Sequence, residues 1–138
     1  MKKKLRYMVV DDDPTNNMIC KFTINRFDNG AEIIIFTEPL EALDFIKENY
    51  GKTTEALPTT LFLDINMPTI TGWEFLDVFI KFKESIKEQF SIYILSSAIE
   101  DFRKEKEIYP FIQGFLSKPL KIINLENVKK ELEESKVN

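Results

Sequence analysis

Four places in the 138-residue chain carry residue types that can move a charged group, each at the end of an apolar run. Asp11-Asp12-Asp13 follows Tyr7-Met8-Val9-Val10, Asp64 follows Leu61-Phe62-Leu63, Ser96 follows Tyr93-Ile94-Leu95, and Lys118 comes soon after Phe115-Leu116. If these positions meet, the carboxylates of Asp11, Asp12 and Asp64 share a crevice with a hydroxyl and an ammonium. At an effective dielectric of about 20, two carboxylates about 5 Å apart repel by about 3 kcal/mol, so three together need protonation or a cation. A divalent metal answers this best. Oxygen ligands without nitrogen or sulfur favour Mg²⁺, with Mn²⁺ as the alternative, and Mg²⁺ keeps several waters that a phosphate can replace. The chemistry that fits is attack by an ionised carboxylate on a phosphoryl group to give an aspartyl phosphate, with metal and lysine offsetting the charge on the transferred oxygens. The sequence contains no histidine, which excludes a histidine-based triad, a histidine-ligated zinc and a phosphohistidine carrier.

The elements that must position these groups can be read from the pattern around them. Leu5 to Val10 reads as a buried strand, and Asp13-Pro14 as an N-cap followed by proline at the first helical position. The helix runs to about Phe27, with Met18, Ile19 and Phe22 starting its apolar stripe. Asn29-Gly30 is a turn, Ala31 to Phe36 a second strand, and Thr37 precedes a helix with Leu40, Leu43, Ile46 and Tyr50 on one face. After a polar loop from Gly51 to Pro58, Thr59 to Leu63 forms the third strand, Trp73 to about Lys83 a helix, and Phe90 to Leu95 the fourth strand. Ile99 to Tyr109 predicts a short helix and Gly114 to Leu116 a short strand. Lys121 to about Glu134 predicts a last helix with Ile122, Leu125, Val128 and Leu132 inward. Strict alternation of strand and helix implies a parallel sheet with helices on both faces. Ligands in such sheets bind beyond the carboxyl ends of the strands, where all four places fall.

Length and composition predict one domain, residues 1–138, with apolar residues at 43% and charged residues at 30%, enough for one core and inconsistent with a disordered chain. A net charge of −4 gives no general attraction to nucleic acid or an anionic membrane, and Lys2 to Arg6 reads as a solvated lead-in to the first strand. Cys20 is the only cysteine, so no intrachain disulfide or thiol-paired zinc site can form, which fits a reducing cytoplasm. No segment has the apolar length that crosses a bilayer or the pattern of a signal peptide.

Taken in order, these motifs resemble the receiver domain of two-component response regulators over essentially the whole chain. The carriers are Val9-Val10-Asp11-Asp12, Leu63-Asp64-Ile65-Asn66-Met67-Pro68 with Gly72, Ser96, and Lys118-Pro119. The resemblance implies a flavodoxin-like (βα)₅ doubly wound sheet of strand order 2-1-3-4-5, an order shared by flavodoxins and chemotaxis regulators. It implies Mg²⁺ held by Asp12, Asp64 and the backbone carbonyl of Asn66, with Asp11 acting largely through water. Asp64 would accept the phosphoryl group, Ser96 would bind one of its oxygens, and Lys118 would pair first with Asp64 and then with the phosphoryl group. Phe115 matches the family's switch aromatic, turning inward as Ser96 is drawn to the phosphate and altering the face made by the fourth helix, fifth strand and fifth helix. Implied partners are a sensor histidine kinase and a downstream protein or histidine phosphotransfer protein. The chain would be a monomer, or a dimer once phosphorylated, catalysing only its own phosphorylation and dephosphorylation. Serine in place of the commoner threonine at 96 keeps the hydroxyl, and phenylalanine at 115 limits any switch there to packing. The Lys118-Pro119 bond is expected to be cis.

Plainer readings stand beside these. Asp13 reads as a helix cap, Ser97 as a strand terminus, and Trp73, Phe75, Leu76 and Phe79 as packing. A haloacid-dehalogenase-like phosphatase would use Asp11 as nucleophile and Asp13 as acid/base in Asp11-Asp12-Asp13-Pro14-Thr15, but it needs a second acidic pair after the lysine. The acids after Lys118 are Glu126, Glu131, Glu133 and Glu134, all on a predicted helix, and that reading leaves Asp64 without a role. A receiver-like module that binds partners without phosphorylation is the other alternative, although such a module has no need to retain every acid and the lysine.

Overall fold

β-branched and aromatic residues alternate along the central strands so that each strand buries both of its faces. In β1 (Arg6–Val10), Met8 and Val10 face one core while Tyr7 and Val9 face the other. The same division separates Leu61 and Leu63 from Phe62 in β3 (Thr59–Leu63), and Ile92 and Ile94 from Tyr93 and Leu95 in β4 (Phe90–Ser96). The period-two side-chain alternation of strands requires this split, and covering both faces is what a parallel sheet needs. The computed structural model describes residues 5–52, 55–97 and 100–137. Lys2 to Lys4, the loop positions 53–54, and Ile99, from which the sequence predicts a helix, lie outside the described residues.

Among the described residues, β2 (Glu32–Phe36) and β5 (Ile112–Ser117) form the edges of one parallel sheet of order β2-β1-β3-β4-β5. This is the flavodoxin-like order implied by the motifs. α1 (Pro14–Phe27) and α6 (Ile122–Val137) cover one face, through Cys20, Ile24, Leu125 and Val128. α2 (Pro39–Tyr50), α3 (Gly72–Phe79), the single turn α4 (Glu84–Lys87) and residues flanking α5 (Arg103–Ile108) cover the other. The extra turn makes six helices among the described residues, so the elements numbered fourth helix, fifth strand and fifth helix in the family's five-helix pattern correspond here to α5, β5 and α6.

Four expectations are corrected. Met18 and Phe22 are largely exposed and Ile19 is partly so. Asp13 and Pro14 fix the start and hence the phase of α1, turning Asn16, Asn17, Cys20, Thr23 and Ile24 to the sheet instead. Leu40 and Ile122 are also more exposed than expected: Leu40 follows buried Pro39 but points away from the face carried by Ala42, Leu43 and Ile46, and Ile122 lies in a first turn ahead of buried Leu125. The third helix ends at Phe79, where Ile80 begins a turn, and the chain re-enters helix only at Glu84. β5 is longer than Gly114 to Leu116 because main-chain pairing with β4 begins at Ile112, with an irregularity in register between Ile92 and Tyr93.

Candidate functional site

The register of the sheet brings the chemistry-bearing residues to one end. Val10 pairs with Leu63 and with Phe36, so Asp11 and Asp64 leave adjacent strands at the same level. Their main chains are tied there: Asp64 N–H donates to the Val10 carbonyl at 2.9 Å and Asp11 N–H to the Phe36 carbonyl at 3.1 Å. Ser96 pairs with Ser117 at the end of β4 and β5, and Lys118 N–H donates to the Ser96 carbonyl at 2.8 Å. The Lys118-Pro119 peptide is cis.

Gly72 explains how the loop after Asp64 is held. Its N–H donates to the Ile65 carbonyl at 2.8 Å, and a Cβ at position 72 would lie 2.5 Å from the Asp64 carbonyl oxygen. Only glycine allows the start of α3 to approach the Asp64 main chain this closely. A capping box then fixes the helix start, with Thr71 Oγ1 accepting from Glu74 N–H and Glu74 Oε1 accepting from Thr71 N–H. Thr69 Oγ1 donates to Glu38 Oε2, joining this loop to the start of α2.

Carboxylate oxygens from Asp11, Asp12 and Asp64 lie within 4.8 Å of one another. Asp11 and Asp64 are buried and Asp12 is half-buried. Lys118 Nζ reaches Asp11 Oδ2 at 2.7 Å and Asp64 Oδ1 at 3.1 Å. Burial, followed by the charge of Asp11, pushes the Asp64 carboxyl up to about 6, with Lys118 offsetting only part of the effect. Burial opposes the Lys118 charge, but hydrogen bonding and attraction from Asp11 and then Asp64 outweigh it and hold the ammonium above its ordinary value. One ammonium thus faces three carboxyls, and the residual negative charge in an all-oxygen donor set suits a hard divalent cation such as Mg²⁺.

Asp11, Asp12, Asp64 and Lys118 therefore come together, and buried Ser96 stands at the same end, tied to Lys118 through the main chain. Asn66 is exposed, two residues beyond Asp64. Phe115 lies apart from the carboxylates, half-buried, its ring stacked on Phe102 with centroids 4.8 Å apart and planes 11° from parallel. Phe102 in turn meets Trp73 at 6.0 Å, and Trp73 stacks on Tyr109 at 5.4 Å. Asp13 is exposed and caps α1 by accepting from Thr15 N–H, so it serves the helix start rather than facing a reaction beside Asp11. Sequence reasoning missed Asn16, whose Nδ2 donates to Asp11 Oδ2 at 2.7 Å, and the pairing of Lys118 with Asp11. The available signal was the tandem Asn16-Asn17 early in a helix that otherwise offers the sheet apolar residues.

The model of the response regulator receiver domain family matches residues 7–130, nearly the whole chain. The chain belongs to that family. Among solved structures it is similar to a two-component response regulator from Cytophaga hutchinsonii, with 26% identity, TM-score 0.83, and 96% of this chain and 99% of that one covered. It shares its fold with a response regulator receiver protein from Dyadobacter fermentans, at 21% identity and TM-score 0.80 over 92% of this chain and 96% of that one. The fold also matches a Vibrio cholerae chemotaxis protein, at 22% identity and TM-score 0.68 over 94% and 98%. No curated protein matches.

Proposed function

We propose that this receiver is a phosphorylation switch that takes a phosphoryl group from a sensor histidine kinase onto Asp64. The observation that carries the reading is one ammonium, Lys118 Nζ, shared between Asp11 and Asp64 inside a three-carboxylate cluster at the end of the sheet. An Asp64 oxygen attacks phosphorus, the P–N bond of the donor phosphohistidine breaks, and the electron pair leaves on the imidazole nitrogen. At pH 7 a carboxyl held near 6 is mostly ionised, so Asp64 needs no separate base. Asp12, Asp64 and the Asn66 carbonyl would hold Mg²⁺, with Asp11 acting through water, and the ion would supply neutralisation of charge on the transferred oxygens. Lys118 exchanges its bond to Asp64 for one to the phosphoryl group, and the Ser96 hydroxyl takes another oxygen.

The output is assigned to the face of α5, β5 and α6. A cleft of about 630 Å³ opens there, lined by Phe102, Arg103, Lys106, Gly114 and Phe115. As Ser96 moves toward the phosphoryl group, Phe115 leaves its stack on Phe102 and the cleft changes shape. Downstream recognition, by a target protein or a histidine phosphotransfer protein, reads that change. Among the described residues no helix is long and apolar enough to cross a membrane, in keeping with the cytoplasmic site of action proposed here. The test is incubation with acetyl phosphate and Mg²⁺ followed by intact-mass measurement. One phosphoryl adduct that requires Mg²⁺ and is lost in Asp64→Asn is expected. Absence of an adduct in protein that binds Mg²⁺ would favour a module that works without phosphorylation.

A further inference from the structure

The first turns of α1 spend two sheet-facing positions on amides while Met18 and Phe22 face outward. Asn16 and Asn17 are 5% and 4% exposed, and asparagine is a poor helix former whose burial is unfavourable unless its amide is hydrogen-bonded. Both amides are directed at one residue. Asn17 Nδ2 donates to the Asp11 carbonyl oxygen at 2.8 Å, and Asn16 Nδ2 donates to Asp11 Oδ2 at 2.7 Å, with Cys20 Sγ 3.7 Å away. Asp13 N–H donates to the other carboxylate oxygen, Oδ1, at 2.9 Å, and Lys118 Nζ meets Oδ2 at 2.7 Å. A carboxylate oxygen has two lone pairs, so Oδ2 is filled by Asn16 and Lys118, while Oδ1 keeps one for the cluster.

We propose that Asn16 is a positioning residue for the metal-binding cluster: its amide locks the Asp11 carboxylate with Oδ2 on Lys118 and leaves only Oδ1 to act toward the cation. This rests on the reading of Asp11, Asp12 and Asp64 as a Mg²⁺ site. Without the amide, the Asp11 carboxylate is held only by Asp13 N–H and Lys118 Nζ, the division of Lys118 between Asp11 and Asp64 is less firmly fixed, and the site loses preorganisation. Groups that orient a metal site from one bond away typically contribute a factor of about 10 or more to metal affinity.

Asn16→Leu removes the donor while keeping the heavy-atom count and branching of the side chain, and Asn16→Ala removes it without adding bulk, so the pair separates loss of the donor from a change in packing at this buried position. Mg²⁺ alone is titrated into each protein by calorimetry, with thermal unfolding recorded alongside. The expected result is a dissociation constant raised about tenfold in the folded variant, measured at a temperature where the melting curve shows that variant fully folded. In acetyl phosphate assays the half-saturating Mg²⁺ concentration moves by a larger factor than the saturated rate. Equal Mg²⁺ affinity in wild type and variant, or a variant whose only change is lost stability, would overturn the proposal while leaving the metal site intact. No Mg²⁺ binding by the wild type would overturn the site reading and this inference together.

Discussion

Asp64 carries an unfavourable charge that Lys118 relieves only in part, and the consequence is a stability that depends on pH. Its carboxyl sits at about 6 in the folded protein against 3.8 ordinarily, so the folded state holds the proton more tightly than the unfolded chain does. Stability without Mg²⁺ therefore falls as pH rises from about 4 through 6, and the full penalty is present above 6. The raised value corresponds to at most about 3 kcal/mol, which solvent at the mouth of the crevice reduces to about 1–2 kcal/mol. Asp64→Asn should raise the melting temperature by about 3–8 °C at pH 7.5 without Mg²⁺, and by much less at pH 4.5. Equal shifts at both pH values would show that Asp64 is not held in this state. The positions of Asp11, Asp12, Asp64, Ser96 and Lys118 were legible because each ends an apolar run, and strand ends are where such sheets place ligands. Asn16 was not, because its role depends on helix phase: a polar residue early in a helix reads as solvated until Cys20 and Ile24 are seen to face the sheet.

At the scale of elements, Gly72 and the aromatic stack connect the site to its surroundings. Gly72→Ala forces a Cβ against the Asp64 carbonyl, so α3 or the Asp64 loop must shift. A stability loss of about 1–3 kcal/mol by denaturant unfolding, with weakened Mg²⁺ binding, is expected. Wild-type stability and affinity would show that the close approach does not matter. The stack from Phe115 through Phe102 to Trp73 gives the proposed switch an optical readout, since Trp73 is the only tryptophan. Phosphorylation should change Trp73 emission, and Phe102→Leu should suppress the change while still accepting the phosphoryl group. An adduct without any change in wild-type emission would place the switch elsewhere. Neither feature was fully readable in advance. Trp73 packs against the core, but its ring partners Phe102 and Tyr109 flank α5, more than 25 residues away in sequence, and no local pattern reports such contacts. The misplaced stripe of α1 has the same origin: Met18, Ile19 and Phe22 have helical spacing, and only the tertiary contacts decide which face the sheet covers.

For the molecule as a whole, the two-sided parallel sheet was legible because alternating strands and helices require right-handed crossovers that cover both faces, whereas the strand order came from the resemblance to receiver domains. The cleft that the output reading uses lies on the α5–β5 face rather than over the carboxylates. On the proposed reading, input at Asp64 and output at the α5–β5 face are separate regions joined by β4 and β5, and the central claim is that Asp64 is where the input arrives. The measurement that addresses it most directly is borohydride reduction of protein treated with acetyl phosphate and Mg²⁺, which converts an aspartyl phosphate to homoserine, followed by peptide mass mapping. Homoserine at position 64, dependent on Mg²⁺ and absent from Asp64→Asn, is the result expected. Homoserine at position 11, or label that persists in Asp64→Asn, would contradict the account and point to Asp11 as the nucleophile.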